Sequence, residues 1–214
     1  MTEQRDNLFK ENTYVFVAGA IEDTPIFSHE VFGEKFYIFT LSVMRLSNIC
    51  DSVRVIISER LFPAEFDLLP DAAVAISGQF RSYNNYACDG NRLILTVFAK
   101  SIALADEDML KEPNSITLNG FICKPPVFRV TPFGREITDL LLAVNRSYNK
   151  SDYIPIIAWG RNARFCRDLP VGTNLKVCGR IQSRAYQKRI DEDAVETKVA
   201  YEISVGNLEL PAEG

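Results

Sequence analysis

The sequence predicts an all-β chain built from two similar units that follow one another. Two observations carry this prediction. Short apolar segments with strand-like alternation recur along the 214 residues, and the same residue types return at one constant offset. A hydrophobic content of 47% is ample for two small cores, one in each unit of about 100 residues.

The constant offset is 101 residues. It relates pairs of identical residues in the two halves of the chain: Gly19 and Gly120, Arg45 and Arg146, Gly78 and Gly179, Ser82 and Ser183. Agreement at one offset over most of a unit indicates a tandem duplication. We therefore predict a diverged N-terminal domain at 12–105 and a C-terminal domain at 114–210. The acidic segment at 106–113, which ends in a proline, is the predicted linker.

Strand-like segments recur at intervals through the C-terminal unit. They are bounded by Gly, Pro and Asn and include residues 116–118, 137–144, 176–181 and 199–205. One helix is predicted at 161–169, before the fourth strand. Five strands with a helix before the fourth describe an OB-fold, a partly open Greek-key barrel. Because the offset carries the pattern to the first unit, the predicted fold is two tandem OB-folds, five-stranded Greek-key barrels, each with this short helix.

Aromatic and basic residues are interleaved between Asn145 and Arg189. The rings are Tyr148, Tyr153, Trp159 and Tyr186, and the cations include Arg146, Arg161, Arg180, Arg184 and Lys188. A ring stacks on a base of any sequence, and nearby cations meet the phosphates, so the pattern is typical of surfaces for single-stranded nucleic acid. The alternative is packing, since Tyr and Trp in strands are often half-buried.

A longer stretch of the C-terminal unit resembles the bacterial single-stranded DNA-binding protein family. From Asn114 the chain reads NSITLNGFICKPPVFRVTPFGREITDLLLAVNRSY, and IIAWG at 156–160 and GRIQSRAY at 179–186 follow in similar register. The resemblance covers about residues 114–208. It implies low-specificity binding of single-stranded DNA in replication, recombination or repair. It also implies that Tyr148, Tyr153, Trp159 and Tyr186 stack on bases, while Arg146, Arg161, Arg180, Arg184 and Lys188 meet phosphates.

The first unit departs from this pattern in both charge and residue type. Residues 1–111 carry 10 Lys and Arg against 16 Asp and Glu, whereas the rest of the chain carries 14 against 12. The positions that align with the four rings are all non-aromatic: Ser47, Ser52, Ser58 and Asn85. Nearby rings, Tyr83 and Tyr86, lie in a predicted hairpin and either touch a strand or pack. We expect the second domain to carry most of the binding.

Two other hypotheses about partners stay open at this point. The chain ends in GNLELPAEG rather than in the long acidic-tipped tail usual in this family, so we do not expect that recruitment device. An OB-fold interaction module with weak or no strand binding is therefore an alternative, and RNA is another ligand to consider, because stacking does not read the 2′-OH. A homodimer is expected, since it supplies the four OB domains that family members commonly assemble.

Composition and motifs argue against several other classes of protein. With one histidine and no phosphate-binding or nucleophile motif, we expect no enzyme, no small-molecule substrate, no cofactor and no metal. No apolar run is long enough to span a membrane, and the N-terminus has no signal core. Five scattered cysteines without a CxxC pair are typical of reduced thiols, so a cytoplasmic location is expected.

Overall fold

The computed structural model describes residues 12–84, 93–189 and 195–211. The first half holds β1 (Thr13–Ile21), β2 (Ile26–Val31), β3 (Glu34–Met44), β4 (Cys50–Ser58), β5 (Ala73–Asn84) and β6 (Leu93–Leu104). The second holds β7 (Asn114–Ile122), β8 (Val127–Val130), β9 (Glu136–Arg146), β10 (Lys150–Trp159), β11 (Asn174–Arg189) and β12 (Val195–Glu209). The described residues include two short α-helices, α1 (Glu107–Lys111) and α2 (Gly160–Cys166).

Five strands close into a ring in the first half, which we call the first barrel. Each of the sheet neighbours β1–β3, β3–β4, β6–β5 and β5–β1 is antiparallel, and the parallel pair β4–β6 completes the ring. The short strand β2 extends β3 outside the ring. Closure removes sheet edges, which is how small barrels avoid unpaired backbone groups.

The second half repeats this topology, and we call it the second barrel. Strands β7, β9, β10, β12 and β11 form the ring, again with one parallel pair, β10–β12, and β8 extends β9. The all-β fold class and the two tandem OB-folds are therefore confirmed. The domain limits at 12–105 and 114–210 stay a prediction.

One continuous sheet joins the two barrels. Strand β1 pairs antiparallel with β7 over residues 13–17 and 114–118, so all twelve described strands belong to one sheet. Alternation along β1 explains its dual role. Val15 and Val17 are fully buried in the first barrel, whereas Tyr14 and Phe16 are half-buried on the outer face of the sheet. The buried apolar residues of both barrels belong to one contiguous cluster.

Helical segments differ in detail from the prediction. The helix predicted at 161–169 spans Gly160–Cys166, followed by a turn, and Pro170 disfavours helical backbone at the residue before it. In the first barrel the corresponding helix is only a three-residue 3-10 helix, Glu59–Leu61. Its C-cap Phe62 precedes Pro63 and has extended backbone, which ends the helix there. Among the described residues, no helix has the length and apolar character needed to cross a bilayer.

The predicted linker also contains a helix. Asp106 caps α1 by accepting a hydrogen bond from the backbone N–H of Met109 at 2.8 Å. Two acidic residues in the first turn and Lys111 in the last complement the helix dipole. The backbone N–H of Ala18 then donates to the Pro113 carbonyl, which ties the end of the connection to β1.

Candidate nucleic-acid interface

A groove of about 710 Å³ opens on the surface of the second barrel. We call it the second-barrel groove, and its lining residues come mainly from β10, β11 and β12: Arg45, Arg135, Trp159, Gly179, Arg180, Gln182, Ser204, Val205 and Gly206. Three of these are arginines and one is a large ring. The glycines leave the strands without side chains on part of its floor. The groove thus combines cationic walls with an aromatic surface.

Trp159 stands at the junction of this groove and a second depression. It is the last residue of β10 and the N-cap of α2, with extended backbone. The second depression has a volume of about 460 Å³ and also contains Arg135 and Glu136. Because the ring of Trp159 borders open space on two sides and is partly exposed, it can accept a flat partner.

Arg180 and Arg184 lie on one face of β11. They are four residues apart with Gln182 between them, and both side chains are exposed. Arg180 lines the groove beside Trp159 because β12 bridges the strands that carry them, pairing with both β10 and β11. The backbone of Tyr186 and Lys188 continues this strand, and their side chains lie outside the described residues.

The other predicted residues sit farther along the barrel surface. Tyr148 is 94% exposed in the turn between β9 and β10, where its φ of 63° is in the left-handed region. Tyr153 is 46% exposed and shares the outer face of β10 with Trp159, about 20 Å away along the strand. Arg161 is exposed at the start of α2. The predicted residues therefore follow a path over the second barrel rather than one pocket.

Arg146 and Arg45 each line a groove on the opposite barrel. Arg146 belongs to the second barrel but lines a groove on the first, which we describe below. Arg45 belongs to the first barrel but lines the second-barrel groove, a placement that the sequence analysis missed. The signal that relates the two residues was present, because they are 101 residues apart. What the sequence did not show is the β1–β7 pairing, which turns these positions toward the opposite barrel.

Arg45 is fixed by a buried carboxylate. Its Nε and Nη2 donate to the two Asp51 oxygens at 2.6 and 2.5 Å, and Nη2 also reaches the Ser183 carbonyl at 3.2 Å. Asp51 is fully buried, and its hydrogen bond is the main cause that raises the pKa of Arg45. A bidentate Arg–carboxylate pair holds the guanidinium plane in one orientation. Arg45 is therefore a rigid part of the groove wall.

One acidic residue lies among these cations. Glu202 on β12 pairs in register with Gln182, and burial raises the pKa of its carboxyl above the ordinary value. Arg184 acts in the opposite direction and lowers this pKa, whereas Asp139 raises it. The carboxyl is thus protonated more readily than an exposed glutamate. When it is ionised, its negative charge opposes the field of the arginines around it.

The described residues hold no metal centre. No group of three or more His, Cys, Asp or Glu side chains among them is arranged to bind a metal ion. Four cysteines fall in the described part of the chain, and each of them, Cys50, Cys123, Cys166 and Cys178, is a free thiol. The arginines and the ring of Trp159 that line the second-barrel groove can stack, donate hydrogen bonds and form ion pairs.

Comparisons with known proteins find a matching family, related sequences and a similar fold. Residues 113–210 match the single-strand binding protein family. Single-stranded DNA-binding protein B of Bacillus subtilis is 30% identical over 40% of this chain and 82% of its own length. Protein A of the same organism is 31% identical over 42% of this chain, which spans 56% of that relative's length. The wild-type single-stranded DNA binding protein of Thermus aquaticus covers 94% of each chain with a TM-score of 0.72 and 20% identity, a likeness of fold.

Proposed function

This chain belongs to the single-strand binding protein family, and from that premise we propose that it binds single-stranded DNA without catalysis. The observation that carries the proposal is the second-barrel groove, where Trp159 stands among Arg45, Arg135 and Arg180. A base stacked on the indole would contribute roughly 1–3 kcal/mol, and the arginines would neutralise the adjoining phosphates. The family's general role places such binding in replication, recombination or repair.

The proposed contacts carry little sequence information. Stacking accepts any base, and phosphate contacts fix position without reading bases. Affinity should therefore vary little between sequences and fall with salt, with a log–log slope of about −0.7 for each phosphate neutralised. Since none of these contacts reads the 2′-OH, oligo-U is the ligand to compare with oligo-dT in the same assay.

We extend the proposed path beyond the groove to the remaining predicted residues. Tyr148 and Tyr153 supply exposed rings upstream of Trp159 in the sequence, and Arg161 on α2 and Arg184 on β11 supply exposed cations. Tyr186 and Lys188 belong to the path by their resemblance to the family pattern. Arg146 belongs to the proposal as well, at the first barrel rather than the second. The path is divided between domains at 12–105 and 114–210.

Removal of single groove residues tests the proposal. Trp159→Ala should weaken oligo-dT binding roughly 5- to 150-fold, the equivalent of one stacked base. Arg180→Gln should weaken it and make the salt slope about 0.7 less steep. Fluorescence anisotropy of a labelled oligo-dT at several salt concentrations measures both effects.

Arg167→Gln is the matched control for charge. Arg167 lies in the same barrel, pairs with Asp168 at 3.1 Å and lines neither depression beside Trp159. The Arg167→Gln variant should bind oligo-dT with an affinity close to that of the unmodified chain. Equal binding by all four proteins would remove the groove from the mechanism and favour the interaction-module alternative.

We also propose that two chains associate. Tyr14 and Phe16 lie half-buried on the outer face of the shared sheet, next to Thr117 and Ser115 across the β1–β7 pair. Two such faces packed together would cover the rings and bring four OB-folds into one assembly. Light scattering after gel filtration measures the mass directly, and Phe16→Asp should shift a dimer toward the monomer. A wild-type mass equal to one chain would contradict this part of the proposal.

A cytoplasmic location completes the proposal. The described cysteines are unpaired, and free thiols are usual where glutathione keeps proteins reduced. Fractionation of cells that express a tagged chain, with thiol alkylation before lysis, tests both the location and the reduced state.

A further inference from the structure

A third groove, of about 480 Å³, lies on the first barrel. Its lining includes Arg81, Tyr83, Phe98, His29 and, from the second barrel, Arg146. We propose that this first-barrel groove binds a further segment of the same single strand, through residues that differ from those of the second barrel. The proposal rests on the proposed function and adds a site to it.

The cation of each groove occupies a different position on equivalent strands. At the offset of 101 residues, Gln79 on β5 corresponds to Arg180 on β11, and Arg81 corresponds to Gln182. Residues two apart on a strand share one face. The fourth strand of each barrel therefore carries one arginine and one glutamine on the same face, in reversed order. Arg180 and Gln182 line the second-barrel groove, and Arg81 lines the first-barrel groove. The two surfaces are alike in charge at this strand although the residues do not align.

Arg81 is held in a defined place. Its guanidinium carbon lies 3.6 Å from the centroid of the Phe98 ring, and its Nε and Nη2 donate to Gln79 Oε1 at 3.3 and 2.8 Å. A guanidinium that is fixed before binding loses little conformational entropy when a phosphate or base arrives. Stacking on Phe98 gives the arginine the role of a flat cationic surface, a type of group on which bases also stack.

Two further rings border the same groove. Tyr83 is 40% exposed, and His29 stacks on Phe36 with centroids 4.9 Å apart and an angle of 9° between the planes. None of these residues aligns with the four rings of the second barrel. The first-barrel positions that do align are three serines and one asparagine. The aromatic surface of the first barrel is thus a separate one, formed by the first hairpin and the last two strands.

Arg146 completes the groove from the neighbouring barrel. Its Nε lies 3.6 Å from a carboxylate oxygen of buried Asp152 and has no hydrogen-bond partner among the described residues. The equivalent Arg45 makes two hydrogen bonds of 2.5–2.6 Å to Asp51. Arg146 is therefore held less tightly than Arg45, and its guanidinium can turn to a phosphate in the groove without breaking a bidentate hydrogen-bonded pair.

The first-barrel groove should hold a shorter segment than the second. The residues that align with Trp159 and Arg135 are Ser58 and Glu34, and the Ser58 hydroxyl donates to the Glu34 carboxylate. Glu34 also pairs with Arg60 at 3.4 Å. The Glu34 carboxylate repels phosphates, so single-stranded DNA cannot make contacts here like those proposed beside Trp159 in the second barrel.

Crosslinking of the full-length unmodified chain tests the proposal directly. An oligo-dT of about 40 nucleotides with scattered 5-iodouracil is long enough for two OB-folds, whereas one of about 10 nucleotides suits one. After irradiation, peptide mass spectrometry should find crosslinks at Trp159 with either length, and at His29 or Tyr83 with the long one only. Crosslinks at Trp159 alone with the long oligonucleotide would overturn the proposal. An absence of any crosslink would instead count against the proposed function.

Salt dependence supplies a second readout. Arg81→Gln should make the salt slope for the long oligonucleotide about 0.7 less steep and leave that for the short one unchanged. Arg60→Gln removes the same charge from the same barrel at a residue outside the groove and should alter neither. Identical slopes for the Arg81 and Arg60 variants with the long strand would contradict the proposal. Circular dichroism of both variants checks that the barrel is folded.

Discussion

Individual residues in the two grooves owe their behaviour to what surrounds them. Arg45 and Arg146 are related by the repeat, yet one is locked by two short hydrogen bonds and the other stands 3.6 Å from its carboxylate. Glu202 and Cys166 are further cases, since burial shifts the pKa of each. Such differences decide which side chains are available to a ligand or reagent.

Glu202→Gln should strengthen DNA binding. The substitution removes a half-buried negative charge near Arg184 and Arg45. Solvent still screens a charge at such a position, so the effect stays below about 1 kcal/mol, a gain of roughly two- to fivefold. Anisotropy titration at neutral pH measures it. Weaker binding by the glutamine variant would contradict the account.

The same substitution should change the pH dependence of stability. Burial raises the folded-state pKa of Glu202 above the unfolded value, so folding favours the protonated carboxyl. Its stabilising contribution is full below the unfolded pKa and is lost as pH rises through the folded pKa. Glu202→Gln keeps a neutral side chain at all pH values and should be at least as stable as the unmodified chain at pH 7. Urea unfolding at pH 4 and pH 7 compares the two proteins.

Cys166 should resist thiol reagents in the folded chain. Burial raises the pKa of this thiol to about 11, so on the order of one in a thousand is ionised at pH 8. Cys50 is exposed and serves as the internal control. Iodoacetamide labelling followed by peptide mass spectrometry should modify Cys50 at once and Cys166 only after denaturant is added. Equal rates would show that the core around α2 opens readily.

At the scale of elements, the barrels depend on close approach between strands. At Gly179 on β11 the register with β12 shifts, and an added Cβ would lie 2.2 Å from the Ser204 carbonyl oxygen. Gly78 occupies the same place on β5, with 2.1 Å to the Phe98 oxygen. The repeat in the sequence relates these two glycines, and the close approach of the neighbouring strand explains why both positions are glycine.

Gly179→Ala should therefore destabilise the chain by about 1–3 kcal/mol, because backbone atoms must move to admit the methyl group. Gly206→Ala is the control, since its nearest neighbour would be 3.5 Å away, an ordinary contact. Urea denaturation gives both free energies of unfolding. Equal stability of the two variants would show that β11 and β12 can separate locally without loss.

The elements also show what sequence patterns can and cannot reveal. Alternation and the repeat predicted the strands and the fold class, because both depend on local residue order. The meeting of Trp159 with Arg180 follows from the family register. By contrast, Arg45 and Arg146 reach the groove of the opposite barrel only because β1 pairs with β7. That pairing joins residues about a hundred positions apart, and no local pattern encodes it. The short helix of the first barrel was predicted, but its restriction to one turn of 3-10 helix was not; Pro63 ends it there.

At the scale of the whole molecule, two reciprocal contacts fasten the barrels. The backbone N–H and hydroxyl of Ser183 donate to Asp51 at 2.7 and 3.1 Å, and those of Ser82 donate to Asp152 at 2.7 and 3.4 Å. Each aspartate thus accepts from a serine of the opposite barrel, and both are buried. Together with the β1–β7 pair, they join the two barrels.

Asp51→Ala should lower the free energy of unfolding by about 3–5 kcal/mol, because it leaves the mostly buried guanidinium of Arg45 without its carboxylate partner. Asp108→Ala, at an exposed position paired with Lys111, should cost less than about 1 kcal/mol. Thermal or urea unfolding of both variants measures the contrast. A small cost at Asp51 would show that the contact between barrels is not an important part of the fold.

The central claim is that the second-barrel groove holds a single strand at Trp159. Trp159 is the sole tryptophan of the chain, so its fluorescence reports on this groove alone. Titration with oligo-dT at two salt concentrations should give saturable quenching that weakens as salt is raised. An unchanged emission spectrum, together with no retardation of the oligonucleotide in a gel, would contradict the claim.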